Sequence, residues 1–361
     1  MNILAMDLGK SKTVVCFYDS ETGKHKYDKV KTTPQQIHDL LAEHKPGRVV
    51  FEICSAAGWV YDIVVSLGIE VQVANTNHQA WRWKNVKNKN DRSDALKLAQ
   101  LSAMEQLPVV HIPKHPVRQK RALIQYRQCL VRQRTRIKNS IRAILDKEGQ
   151  RMPEGRSGWS MASIKGLTEM SLPLEKCGID NLWRGQLRVE LDMLEKVESC
   201  IAEVEKKLDA LGKEDKGVQL LRTTCGVGPR LAEAVVAFID EPGRFETGKQ
   251  VGSYAGLTPR QYQSGDMDHQ GKISGAGNKV LRSLLVEVSW LGLRHNKWMS
   301  DTYHRILRGS ESRKKIAITA VARKLLVRCW AMLRDGQPWR DTEVVKDEQA
   351  AVLERAILEV Y

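Results

Sequence analysis

"MNILAMDLGKSKTVVCFYD", residues 1–19, decides how the chain begins to fold. An apolar run from Ile3 to Met6 ends on the acid Asp7, Gly9 interrupts it, and a second β-branched run, "KTVVCFYD", follows. Two such runs across a short Gly-containing turn predict paired strands. "KYDKVKT" extends the pattern as a third strand, and "PQQIHDLLAEH", with Ile37, Leu40 and Leu41 on one face, predicts a helix. "RVVFEIC", "YDIVVSLG" and "EVQVAN" then read as strand, helix and strand. Three strands, a helix, a strand, a helix and a strand make an α/β domain ending near residue 112, with "PKHP" at 113–116 as the boundary.

Acids stand at telling places in this pattern. Asp7 ends the first strand and Glu52 ends "RVVFE", while Asp91 and Asp94 open the helix of "KNKNDRSDALKLAQ". A carboxylate closing an apolar strand is costly unless it is paired or binds a metal. Two acids three apart on a helix share a face and repel. Singly, each has a plain reading: a turn acid before Gly9, a cap after the strand, or first-turn helix acids. Together, in this order, they predict an all-oxygen site for Mg²⁺ or Mn²⁺, two ions per site, suited to phosphodiester chemistry.

Composition sets the partner class. The chain has 361 residues, 42% of them apolar, and 58 Lys+Arg against 43 Asp+Glu give a net charge of +15. Two or three domains and a polyanionic partner follow. Seven scattered cysteines without a C-x-x-C pair read as a reduced, cytoplasmic protein lacking structural zinc. The opening residues lack a signal-peptide core, and no run is long and apolar enough to predict a membrane span. Charge concentrates at 81–142, with 16 Lys+Arg against three acids. There Lys84, Lys87, Lys89, Arg92, Arg118, Arg121, Arg132, Arg134, Arg136 and Lys138 are candidate nucleic-acid contacts, against the plainer reading of a solvated helix face. Leu123, Leu130, Ile137 and Ile144, with Ile141 between, form the predicted seam of this basic helix.

A second long helix follows a polar stretch at 149–160. Leu187, Leu191, Leu194, Val197, Ile201, Val204, Leu208 and Leu211 step by threes and fours, which is coiled-coil spacing that fits an antiparallel pair within the chain or a dimer seam. Beyond Lys216, "GVQLLRTTCGVGPRLAEAVVAFI" predicts two helices joined at Gly226 to Gly228, whose free backbone N–H groups suit a phosphate. Ser264 falls in what reads as a polar, Gly-containing loop before the helix "NKVLRSLLVEV", where a serine is ordinarily a turn residue.

The run Asp7 with "GKSK", Glu52 with a small-residue turn, "NKNDRSDA", "LLRTTCGVGPRLAEAVVAFI" and "VGSYAGLTPRQYQSGDMDHQGKISGAGNKVLRSLLVEVSW" resembles the DEDD-type insertion-sequence transposases. Within them it is most similar to the branch with subterminal inverted repeats. The resemblance spans residues 1 to about 340. It implies an RNase H-like, RuvC-like N-terminal domain over 1–115, a basic helix and coiled-coil region over 116–212, a mostly helical transposase domain over 213–345, and an acidic helical tail over 346–361. It further implies a recombinase guided by a structured noncoding (bridge) RNA of its own element. That RNA pairs with donor and target DNA, and Asp7, Glu52, Asp91 and Asp94 hold the metal. Ser264 is carried over as the nucleophile that forms a covalent phosphoserine. Arg260, Lys272, Lys279 and Arg282 would position nucleic acid, and exchange between two duplexes implies a dimer or tetramer. The alternative is a metal-dependent, RuvC-like junction nuclease that uses water.

Overall fold

The apolar alternation at the N-terminus becomes one edge-to-edge sheet in a computed structural model. The structure describes residues 1–75, 90–153, 155, 157–264 and 267–339, with backbone alone at 264 and 267–270. The chain divides into two compact units, Met1–Pro116 and Val117–Tyr361.

In the first unit β1 (Asn2–Leu8), β2 (Lys12–Asp19) and β3 (His25–Lys31) pair antiparallel. Helix α1 (Pro34–His44) leads to β4 (Arg48–Glu52), and α2 (Ala57–Ser66) leads to β5 (Glu70–Ala74). β4 runs parallel to β1 and β5 parallel to β4, which gives the order β3-β2-β1-β4-β5. This is the mixed sheet of an RNase H-like fold, as the family resemblance implies. Gly9 makes the first hairpin possible, because a Cβ there would lie 2.4 Å from the Lys12 carbonyl oxygen.

Strand parity assigns the two faces. Leu4, Met6, Val49, Phe51 and Val73 pack with α1 and α2. Ile3, Ala5, Cys16, Val50 and Ala74 face the other way, against Ala95, Leu98 and Ala99 of α3 (Asp91–Ala103). Fully burying the Leu98 side chain contributes roughly 1.5–3 kcal/mol, and the small Ala95 and Ala99 beside it add less.

Among the described residues the second unit is helical except for one hairpin. α4 (His115–Lys147) and α6 (Leu182–Glu214), with α5 (Met161–Met170) between them in sequence, form an antiparallel pair. Ion pairs Arg127–Glu205 and Lys138–Glu198, at 3.1 Å for the latter, fix the register, as does Lys120–Asp215 at 2.9 Å. The seam thus closes within the chain. On α4 it is Ile124, Leu130, Ile137, Ile141 and Leu145 that are buried, while Leu123 and Ile144 are only half-buried. The buried line therefore runs one residue past the expected position at either end, Ile124 for Leu123 and Leu145 for Ile144.

α7 (Lys216–Arg222), α8 (Pro229–Ile239), α9 (Gly248–Tyr254), α10 (Lys279–Gly292), α11 (Lys297–Leu307) and α12 (Lys314–Asp335) complete the unit. Their core is continuous with Ile124 and Leu130 of α4 and Ile201, Val204 and Leu208 of α6. The helical pair and the C-terminal helices thus share one core across residue 212. β6 (Pro259–Ser264) and β7 (Met267–Ile273) form an antiparallel hairpin where the sequence reads as a loop. Its strands are polar on both faces, so no apolar alternation announces them. The tail at 346–361 lies outside the described residues. Among the described residues no helix is long and apolar enough to cross a membrane.

Candidate active site

Register brings the first two acids together. β1 and β4 pair in parallel through Met6 and Phe51, so the next position sets Asp7 beside Glu52, one strand spacing of about 4.8 Å away. Asp7 shares the parity of Ile3 and Ala5, and Glu52 that of Val50, so both acids project on the α3 face.

α3 is laid across that face in a fixed direction. Its last turn is tied to the start of β4: Arg48 Nη1 donates to the Ser102 carbonyl at 3.1 Å and to Ser102 Oγ at 3.3 Å. Ser102 Oγ in turn donates to Gln72 Oε1 of β5 at 2.7 Å. Arg48 Nε lies 2.8 Å from Glu70 Oε1, an ion-pair contact outside hydrogen-bond geometry. With α3 antiparallel to β4, the eight residues from Ser102 back to Asp94 rise about 12 Å. The four from Arg48 to Glu52 span about 13 Å. Asp94 therefore comes level with Glu52.

Lys97 reports the same convergence. Burial pushes its ammonium below the ordinary lysine value, while the Asp94 and Glu52 carboxylates pull it back upward. Asp7, Glu52 and Asp94 are half-buried, and Asp91 is exposed one turn earlier. Asn90 caps the helix by accepting from the Arg92 N–H at 3.1 Å, so neither aspartate is used as the cap. No three of these four acids bring carboxylate oxygens within 4.8 Å of one another. The edge is a loose cluster of hard oxygen donors.

Ser264 is the last residue of β6, opposite Met267 across the hairpin. It belongs to the second unit, the four acids to the first.

The basic residues divide by what they touch. Arg121 Nε donates to the Ala237 carbonyl at 2.7 Å and its Nη2 to that of Phe238, so its guanidinium closes the end of α8. Burial holds it below the ordinary arginine value. Arg282 likewise donates to the Ala255 carbonyl at 2.8 Å after α9. Lys138 pairs with Glu198 and sits 4.8 Å over the Trp159 ring. Arg92 lies 5.5 Å over Tyr27, and Arg260 reaches the Ser274 carbonyl across the hairpin. Arg132, Arg134, Arg136, Lys272 and Lys279 make no ion pair among the described residues, and Arg118 stands half-buried near the start of α4. Gly226 takes a positive φ of 90°, and Gly228 caps α8 ahead of Pro229. Lys84, Lys87 and Lys89 lie outside the described residues.

Lys97 was not singled out in the sequence, although D-x-x-D-x-x-K places it one turn beyond Asp94 on the same helix face. Arg48 was also missed, because a charge at a strand start reads as a surface residue.

An RNase H-like sheet with acids at its C-terminal edge, on a strongly basic chain with a helical second unit, fits an enzyme that acts on nucleic acid. Residues 4–149 match a family model described as "Transposase", for the DEDD transposases of IS110. Residues 218–304 match "Transposase IS116/IS110/IS902 family", and the two together cover more than half of the chain. The chain belongs to the IS110/IS116/IS902 transposase family, whose members recombine DNA. It is 29% identical to the transposase for insertion sequence element IS1111A of Coxiella burnetii, over 94% of this chain and 92% of that one. It is 25% identical to the IS1328 transposase of Yersinia enterocolitica, over 93% and 98%. A pilin gene-inverting protein of Moraxella lacunata is 31% identical over 33% of this chain and 38% of its own. Among solved structures, T. thermophilus RuvC in complex with a Holliday junction substrate is 15% identical, with a TM-score of 0.23, over 30% of this chain and all of that one.

Proposed function

We propose that this transposase is an RNA-guided DNA recombinase that cuts and joins strands through a covalent phosphoserine at Ser264, with Asp7, Glu52, Asp91 and Asp94 as its metal-binding acids. The observation that supports its metal-binding acids is the direction of α3. Tied at Ser102 to the start of β4, it brings Asp94 level with Glu52 beside Asp7.

The donor set fits Mg²⁺ or Mn²⁺, being all carboxylate oxygen on an open edge. Such cations, two per site, would neutralise charge on the scissile phosphate. The chain's own groups do the rest. The Ser264 hydroxyl oxygen bonds to phosphorus as it gives up its proton, and the bond from phosphorus to one strand end breaks. That end leaves as a hydroxyl carrying a proton. The phosphoserine conserves a phosphodiester, so the hydroxyl of another strand can displace Ser264 without an external energy source. Lys97, beside Glu52 and Asp94, offsets their charge before substrate arrives. Arg132, Arg134, Arg136, Lys272 and Lys279 serve as phosphate contacts without base readout.

Two further parts of the reading rest on other features. The guide is a structured RNA bound to the basic surface of this +15 chain, with one strand paired to donor and one to target DNA. The protein works as a dimer or tetramer in the cytoplasm, and α6 supports this: Leu182, Val189 and Met193 form an exposed apolar line on the face turned away from α4.

Denaturing gels of the protein with junction DNA test the nucleophile. The wild-type chain yields a protein–DNA adduct, and Ser264→Ala yields neither adduct nor exchange. If Ser264→Ala still cuts and leaves water-derived ends, the chain is a RuvC-like nuclease instead. Sequencing the RNA that co-purifies tests the guide, and loss of exchange after RNase digestion is the expected result.

A further inference from the structure

An open groove of about 470 Å³ runs between α9 and α12, lined by Lys249, Thr258, Trp298, Arg323, Lys324 and Arg328. All of it belongs to the second unit. Its walls stand close for a steric reason. A Cβ at Gly248 would come within 2.7 Å of Val327, and one at Gly252 within 3.1 Å of Arg323 Cγ. The two glycines let α12 settle on α9, and the Arg323 stem lies along that contact.

The groove collects cations and no acid lines it. Arg328 is fixed in place, 4.6 Å over Trp298 and 4.5 Å over Trp339, whose rings meet edge-on at 5.0 Å. Lys249, Arg323 and Lys324 have no ion-pair partner among the described residues. Arg305 of α11 adds its charge beside Lys324. The Lys324 ammonium is pushed below the ordinary lysine value, first by partial burial and then by Arg305, Arg323 and Arg328. Cations crowded in this way repel, and an anion among them relieves the repulsion.

The spread of the charges says which anion. They form a row and not a single focus: Lys324 and Arg328 are one helical turn, about 6 Å, apart on α12, and Lys249 stands on the facing helix. A row of cations with one hydroxyl and no base-reading acid or amide suits a chain of phosphates. At one end is Thr258, the residue before β6, whose carbonyl accepts the Ser274 N–H at 2.8 Å at the foot of the hairpin. We propose that this groove holds the sugar–phosphate backbone of a DNA strand. The proposal needs the family's DNA substrate and is independent of whether Ser264 or water attacks it.

Equilibrium binding of the full-length protein to a short DNA duplex, titrated with salt, tests it, with a single-stranded RNA of equal length as the second arm. For the double variant Arg323→Gln/Lys324→Gln the slope of log K against log salt on DNA falls by about 2, near 0.9 per lost phosphate contact. The variant Lys206→Gln/Lys207→Gln removes the same charge from an exposed face of α6 and leaves the slope unchanged. Equal slopes for the two variants, or a change confined to the RNA arm, overturns the proposal. Should the groove double variant melt early, Lys249→Gln, at a surface position, must by itself lower the DNA slope by about 1.

Discussion

Glu233 sits in α8 with 7% of its surface exposed, yet neither carboxylate oxygen has a hydrogen-bond partner. Arg230 Nη2 lies 3.3 Å from its Oε1 but is directed at Asp209. Beside it is a water-sized hole of about 20 Å³ that Lys120 and Asp215 also line. Burial pushes the carboxyl up from 4.5 to about 7, ahead of the opposing pull of Arg230. A raised acid binds its proton more tightly when folded, so its contribution to stability is complete below about 4.5 and is lost as pH rises to about 7. Glu233→Gln removes that loss. Urea unfolding at pH 8 should show the variant more stable by up to about 3 kcal/mol, and at pH 4.5 nearly equal to wild type. A wild-type-minus-variant difference that does not change with pH would falsify this account. Asp7 and Glu52 were legible because each interrupts an apolar run. Glu233 was not, because in "RLAEAVV" it has the spacing of an exposed helix position, and only the packing of α8 against α6 and α7 buries it.

Whole elements carry the geometry of the acids. α3 buries Leu98 between the small Ala95 and Ala99 on its sheet face, and Arg48 supplies the polar anchor that sets how far along the sheet it lies. Arg48→Met keeps the packing and removes the anchor: the Ser102 carbonyl retains the Glu105 N–H at 3.0 Å, and the lost hydrogen bond from a charged donor costs about 1.5–3 kcal/mol. The expected signature is positional: more Mg²⁺ is needed for half-maximal cleavage, while DNA affinity stays at the wild-type value. An unchanged Mg²⁺ titration in a folded Arg48→Met protein would show that α3 needs no such tie. In the second unit, Ile141 is fully buried between α4 and α6. Ile141→Ala should destabilise the chain by about 2–5 kcal/mol, read as a lower urea midpoint. The two long helices were visible as sequence periodicity, but the choice between a seam within the chain and one between chains lay with Glu190, Glu198 and Glu205, whose partners on α4 only the fold reveals. The hairpin holding Ser264 left no such trace, since residues 259–273 are polar on either parity.

At the scale of the molecule, the acids fold in one unit and the serine in the other, each with its own core. Either unit can therefore lose its reactive group without unfolding the other. Groups that act on one bond behave as a single catalytic machine, and removing the second after the first costs little more. If Asp94 and Ser264 serve the same phosphodiester, Asp94→Asn and Ser264→Ala each abolish strand exchange by roughly the same large factor, on the order of a thousandfold or more. The double variant then falls no further. All three proteins should keep wild-type DNA affinity and the same salt slope, because the chain's charge is carried by residues elsewhere. Independent roles give a different result: the losses multiply in the double variant. A scaffold with structural acids gives a third, in which exchange persists in both single variants. Rates of exchange for four proteins, wild type, two singles and the double, measured beside their DNA binding, distinguish these outcomes in one series.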